Sequence, residues 1–209
     1  MDTARTWLQE NQEKILNKFN EVLFKEAWDK YAQGSISSWE MEALCFYYHE
    51  HELINVDTTK YGIVDFYEQS TQPQVDYFFK RNGHEIPIYK LNKIIGTVIG
   101  KNDSRHSISL LTTSGVVNVK FTGEYYSMFK KQISQVNPDG SKKVIEKSWF
   151  KRGTMLMVQG YRIDDQWRAK NYKNAGGHQL YKIINVVDKD ILLQHERQSG
   201  IMEEEVYDE

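Results

Sequence analysis

The feature that most constrains this chain is a change of period at Pro87. Before it, apolar residues recur at helical steps; after it they alternate, and β-branched residues concentrate. Five strands can be placed beyond that point, together with one interruption. Tyr89–Ile99 carries an interior Gly96, as a strongly bent first strand of a small barrel would. His106–Thr112 and Val116–Thr122 are joined by Thr113-Ser114-Gly115, a connection whose glycine can take positive φ. Glu124–Ser134 then repeats Tyr125, Met128, Phe129 and Ile133 at helical spacing, and Asn137-Pro138-Asp139-Gly140 makes a turn. Met155–Ile163 and Gln166–Tyr172 follow across a short Asp164-Asp165 turn, and Leu180–Val187 can extend or close the sheet. Three strands, a helix and two strands is the chain order of an OB-fold, a partly open five-stranded barrel. The expected class is therefore α+β: an N-terminal helical segment followed by an OB-fold barrel with a helix between its third and fourth strands.

The helical part spans residues 1–53. Trp7, Leu8, Ile15, Leu16, Phe19, Val22, Leu23, Ala27 and Tyr31 recur at three- and four-residue steps, and Gly34 ends the run. Ser37-Ser38-Trp39-Glu40 offers a new N-cap, and the spacing of Met41, Leu44, Cys45 and Tyr48 predicts helix to about His51. Cys45 stands in an apolar run, where a small buried thiol is expected; a single cysteine forms no internal disulfide. Residues 54–87 read as a packed connector, 88–188 as the barrel domain and 189–209 as a solvated acidic tail. No stretch is long and apolar enough to span a bilayer and no apolar secretory segment opens the chain, so a cytoplasmic location is expected.

Charge becomes informative once divided along the chain, although the net formal charge is only −2. Residues 1–60 hold six Lys/Arg against eleven Asp/Glu, residues 136–187 ten against four, and residues 188–209 two against eight. A basic segment between acidic ones can present a positive groove on a near-neutral molecule. Single-stranded nucleic acid needs cations that track phosphates and exposed rings on which bases stack. The stretch 142–173 interleaves Lys142, Lys143, Lys147, Lys151, Arg152, Arg162, Arg168, Lys170 and Lys173 with Trp149, Phe150, Tyr161, Trp167 and Tyr172. An OB-fold binds across its second and third strands, between the first and last inter-strand loops. The candidate nucleic-acid contacts are thus Lys101, Arg105, His106, Lys120, Lys147, Lys151, Arg152, Arg162, Trp167, Arg168, Lys170, Tyr172 and Lys173. A small barrel also needs rings inside: Phe121, Phe129 and Phe150 are expected in the core, whereas Trp167, Tyr172 and Tyr126 suit either place.

Catalytic constellations are scarce. His49 and His51 stand two apart, a spacing that aims their rings away from each other on a helix, so no metal site is expected there. Asp164-Asp165 is a good turn dipeptide, and no phosphate-binding glycine loop or nucleophile elbow occurs. The chain by itself carries no expected catalytic residue and no expected cofactor.

Trp39–Leu53 resembles a helix of the alpha subunits of bacterial replicative DNA polymerase III that reads roughly E-K-E-x-L-G-F-Y-x-x-x-H-P-L ahead of the OB domain, with Cys45 for the usual Gly and Glu52 for the usual Pro. Leu91–Lys101, Leu110–Phe121 and Glu146–Gly160 are similar to versions in phage-like and Gram-positive relatives. The resemblance implies a segment, from the end of the fingers through the OB domain, that guides or senses single-stranded template DNA. Acidic palm residues outside this sequence would perform nucleotidyl transfer with Mg²⁺. A fragment would come from a DNA-directed DNA polymerase; a complete chain would be an accessory factor. The alternatives are a protein-interaction module docking on other polymerase or replisome components, and an RNA-binding OB module.

Overall fold

The computed structural model describes residues 2–31, 36–137, 140–172 and 176–197. Three helices come first: α1 (Asp2–Tyr31), α2 (Ile36–Ala43) and α3 (Thr58–Tyr61). A hairpin follows, β1 (Val75–Arg81) and β2 (His84–Tyr89), then β3 (Asn92–Asn102), β4 (Ser107–Leu111), β5 (Val116–Lys120) and α4 (Gly123–Lys130). A second hairpin, β6 (Ile133–Val136) and β7 (Lys142–Glu146), precedes β8 (Met155–Ile163), β9 (Gln166–Ala169), β10 (Leu180–Val187) and β11 (Asp190–Gln194).

Strands β3, β4, β5, β9 and β8 close on one another as an OB-type barrel. Closure depends on β3 having two neighbours: Asn92–Thr97 pairs with β8 and Thr97–Asn102 with β4, both antiparallel. The only parallel pairing among the described strands joins β5 to β9. Two glycines sit where backbones nearly touch. A Cβ on Gly96 would lie 2.5 Å from the Leu111 carbonyl oxygen, and one on Gly160 would lie 2.1 Å from that of Arg168. Strand β8 divides one edge between partners, giving Gly160–Ile163 to β9 and Leu156–Val158 to β10.

Alternation sends Ile94, Val98, Ile108, Leu110, Val117, Val119, Leu156 and Val158 into the barrel, where Phe121, Phe129, Trp149, Phe150 and Trp167 fill the interior. Each such aliphatic or phenyl burial is worth about 1.5–3 kcal/mol. A second cluster lies outside it: Ile95 and Met157, on the opposite faces of β3 and β8, pack with Leu53, Val56, Ile183 and Ile191. Strands buried on both faces explain the unbroken apolar runs Ile94-Ile95 and Leu156-Met157-Val158.

Several expectations are corrected. Helix α2 stops at Ala43 rather than near His51, because Cys45 turns left-handed (φ 67°) and the carboxylate of Glu40 accepts from the backbone N–H groups of Tyr48 and His49 at 3.0 Å each. Cys45 is exposed, not buried. The connector ends in strands: Asn82 (φ 52°) and Gly83 (φ 79°) form the tight turn of the β1–β2 hairpin. Helix α4 ends at Lys130, and Ile133 begins β6. The sheet continues past Asp188 into β11, which pairs with β10. Gly34, Pro138, Asp139 and the acidic residues from 198 onward lie outside the described residues.

Candidate nucleic-acid interface

Residues directly opposite in a sheet share a face, so the strand register says which side chains stand together. Ser107 of β4 faces Lys120 of β5, Lys120 faces Arg168 of β9, and Arg168 faces Tyr161 of β8. The intervening residues Val119 and Trp167 point into the core and are fully buried. Lys120, Arg168 and Tyr161 therefore form an outward row across three strands of the barrel wall, with Asn118 and Gln166 paired one step away. The row continues beyond the barrel. The Tyr161 ring meets Tyr89 at 4.8 Å between centroids, the Tyr89 backbone N–H donates to the Tyr172 hydroxyl at 3.1 Å, and the Lys170 ammonium lies 5.7 Å from the Tyr172 ring. Burial raises the Tyr161 phenol's pKa, helped by Tyr172 and Tyr89 and opposed by Arg168, so the ring stays neutral at physiological pH.

The first inter-strand loop is anchored to α4. Asp103 accepts from the Tyr126 hydroxyl at 2.6 Å and pairs with Lys130 at 2.9 Å, contacts that hold its carboxyl below the usual range, the Lys130 bond contributing most. Desolvation and then Asp103 push the Tyr126 phenol up. Lys101, Arg105 and His106 are exposed there, with the His106 ring against buried Tyr126.

Other candidates go elsewhere. Trp167 is fully buried, edge-on to Phe66 at 6.4 Å, and offers no base a platform. Arg162 is a strap: its guanidinium lies 4.4 Å from the Phe66 ring centroid and donates to the carbonyls of Phe66, Gln69 and Asp164 at 3.0, 2.9 and 2.8 Å. Its side chain is 11% exposed, so it seals the barrel end against the connector. Lys147, Lys151 and Arg152 gather with Lys182 beside Met155, where Arg152 donates to the Ile99 carbonyl and to the Cys45 sulfur, both at 2.9 Å. From Met155 to Tyr161 is six residues of strand, about 20 Å, so these cations form a group apart from Arg168, Lys170 and Tyr172. Lys173 lies outside the described residues. Tyr89 and Lys90, which border the row, were missed by periodicity; their signal is tertiary. Among the described residues no three His, Cys, Asp or Glu side chains are placed to hold a metal ion: His49 turns to Glu40, while His51 bonds the Leu111 carbonyl.

This geometry defines the class: an OB-type barrel module with a cationic and aromatic wall, extended by hairpins and helices. Comparison adds the particular likeness. The chain is 38% identical over 190 residues, 91% of its length, to a probable DNA polymerase, YorL, of Bacillus subtilis (strain 168). It is equally similar to a DNA-directed DNA polymerase of Bacillus phage SPbeta. It spans 14% of the length of each of these relatives. No protein-family profile and no solved structure matches the sequence.

Proposed function

We propose that this chain is the template-binding OB segment of a DNA polymerase related to the polymerase III alpha type, holding single-stranded DNA along the wall made by β4, β5, β9 and β8. The observation that carries the reading is the row Lys120, Arg168 and Tyr161, two cations and a ring on adjacent strands, on a segment similar to polymerases. Cations engage phosphates without reading sequence, and the ring supplies a sequence-tolerant stacking surface. Under this reading nucleotidyl transfer and its Mg²⁺ belong to acidic palm residues elsewhere in a parent polymerase, and this segment keeps the template in line.

Fluorescence anisotropy with a labelled oligonucleotide tests it. Three contacting cations, Lys120, Arg168 and Lys170, predict a slope of about −2 in log affinity against log salt. Lys120→Ala should reduce that slope by about 0.7. An anisotropy that stays flat at low salt overturns the reading. Comparing DNA and RNA of one sequence separates template binding from an RNA module.

A second reading rests on α1, whose Trp7, Leu16, Phe19, Leu23, Phe24 and Trp28 are all exposed. So many exposed apolar side chains, spread round one long helix, suit a protein partner, another polymerase or replisome component. Partner binding that survives charge reversal of Lys151, Arg152, Arg168 and Lys170 would favour it.

A further inference from the structure

The hairpin β1–β2 leaves the barrel beside the tyrosines that end the cationic row, and between them lies a cleft of about 500 Å³. Tyr77 and Ile88 of the hairpin, Tyr89, Lys90 and Tyr172 line it, with Asp76. The hairpin register pairs Tyr77 with Ile88, Phe79 with Ile86 and Arg81 with His84, so these six residues share one face. That face is the one Tyr77 and Ile88 present to the cleft, and it continues outward along the hairpin. Phe78, Lys80, Glu85 and Pro87 take the opposite face, where Lys80 and Glu85 pair at 3.3 Å. Tyr77 and Phe79 are 51% and 52% exposed, and Phe78 on the opposite face 59%; it is the Tyr77–Phe79 face that runs on into the cleft as a contiguous apolar surface.

We infer that the β1–β2 hairpin and the Tyr89–Tyr172 wall form a base-stacking arm for single-stranded DNA, which takes unstacked bases between Tyr77 and Tyr172 as the strand leaves the barrel wall. The inference rests on the template-binding reading and adds a second site to it. Continuity supports it, because Tyr161 of the row touches Tyr89 of the cleft at 4.8 Å. Charge supports it as well. Lys90 at the mouth, Lys170 over Tyr172 and Arg81 at the far end of the arm suit phosphates, while Asp76 repels them from the cleft and can accept from a base N–H, the N3–H of thymine included. Bases therefore enter and the backbone stays at the rim. A protein ligand for the same arm is the competing outcome.

The test compares a fifteen-residue oligo-dT with an abasic oligonucleotide of equal length, about fifteen phosphates each. The unmutated chain should prefer the base-bearing strand by about tenfold. Tyr77→Ala should abolish most of that preference while leaving the salt slope in place, whereas Lys120→Glu with Arg168→Glu should weaken both ligands alike. Oligonucleotides carrying 5-iododeoxyuridine should photocrosslink to Tyr77, Tyr89 or Tyr172 of the unmutated chain, a readout no folding defect can mimic. If oligo-dT binds but crosslinks fall only on β4 and β5 and Tyr77→Ala changes nothing, the arm is refuted and template binding stands. If neither oligonucleotide binds, both readings fall.

Discussion

His51 shows how one side chain ties the helical part to the barrel. Its Nδ1 accepts from the Leu53 backbone N–H at 3.1 Å, which leaves Nε2 to donate to the Leu111 carbonyl at 3.0 Å, with the Thr97 hydroxyl and the Tyr47 ring alongside. Burial lowers its pKa below the usual 6.5, and the Leu111 bond opposes that only in part. The unfolded chain thus takes up a proton more readily than the folded one. This contribution is complete above about pH 6.5 and is lost as pH falls through the lowered folded value, with a slope of up to about 1.4 kcal/mol per pH unit. Denaturant titrations from pH 7.5 to 5 should show that decline, and His51→Gln should flatten it. Trp167 makes the converse case. Because its ring fills the barrel, Trp167→Ala should cost about 3–5 kcal/mol in unfolding free energy. Trp167→Leu, provided it still folds, should keep oligonucleotide affinity within about twofold of the parent, whereas removing a base-stacking ring costs about 1–3 kcal/mol, roughly fivefold or more.

At the scale of elements, the two hairpins and the last strand are held by different means. Glu146, the end of β7, is buried and accepts from the Trp149 indole N–H at 2.7 Å and the Gln194 amide at 3.0 Å. Arg197 approaches its second oxygen at 3.4 Å and also donates to the Met128 carbonyl, so one carboxylate joins β7, α4 and the residues after β11. Removing one partner of a buried pair strands the other: Arg197→Ala should cost about 3 kcal/mol by chemical denaturation. Adding Glu146→Gln should recover part of that loss, and a double-mutant cycle measures the coupling. None of this was legible beforehand, since Glu146 and Arg197 are 51 residues apart with no pattern linking them. The barrel strands were legible, because Val117, Val119 and Phe121 alternate with Asn118 and Lys120, and β-branched residues mark each run. The β1–β2 hairpin had a readable signal in Asn82-Gly83, but its rings are exposed on both faces and no alternation marks it as strand. Cys45 likewise hid the end of α2: the position that reads Gly in the polymerase III alpha pattern takes positive φ here.

For the whole molecule, charge segregation along the chain translated only partly into a surface. The basic segment splits, because Arg152 stands just before β8 begins at Met155 while Tyr161, near its far end, pairs with Arg168 of β9, a separation that only register reveals. The acidic N-terminal segment contributes instead the 30-residue α1, whose Ile15, Leu16, Phe19, Val22 and Leu23 are exposed. Its described tertiary ring contact is Trp28 against Trp39 at 6.4 Å, so the helix adds little to the barrel's cooperative unit. Stability should therefore be insensitive to these side chains and sensitive to the core. Phe19→Glu with Leu23→Glu should shift the calorimetric Tm of the main transition by no more than about 3 °C, since substitutions remote from packed groups shift stability by roughly 0.5 kcal/mol each at most. Leu110→Ala, inside the barrel, should lower unfolding free energy by about 2–5 kcal/mol. A Tm that fell further with the α1 substitutions would mean α1 packs against the barrel after all, and its rings would then belong to the core rather than to a partner.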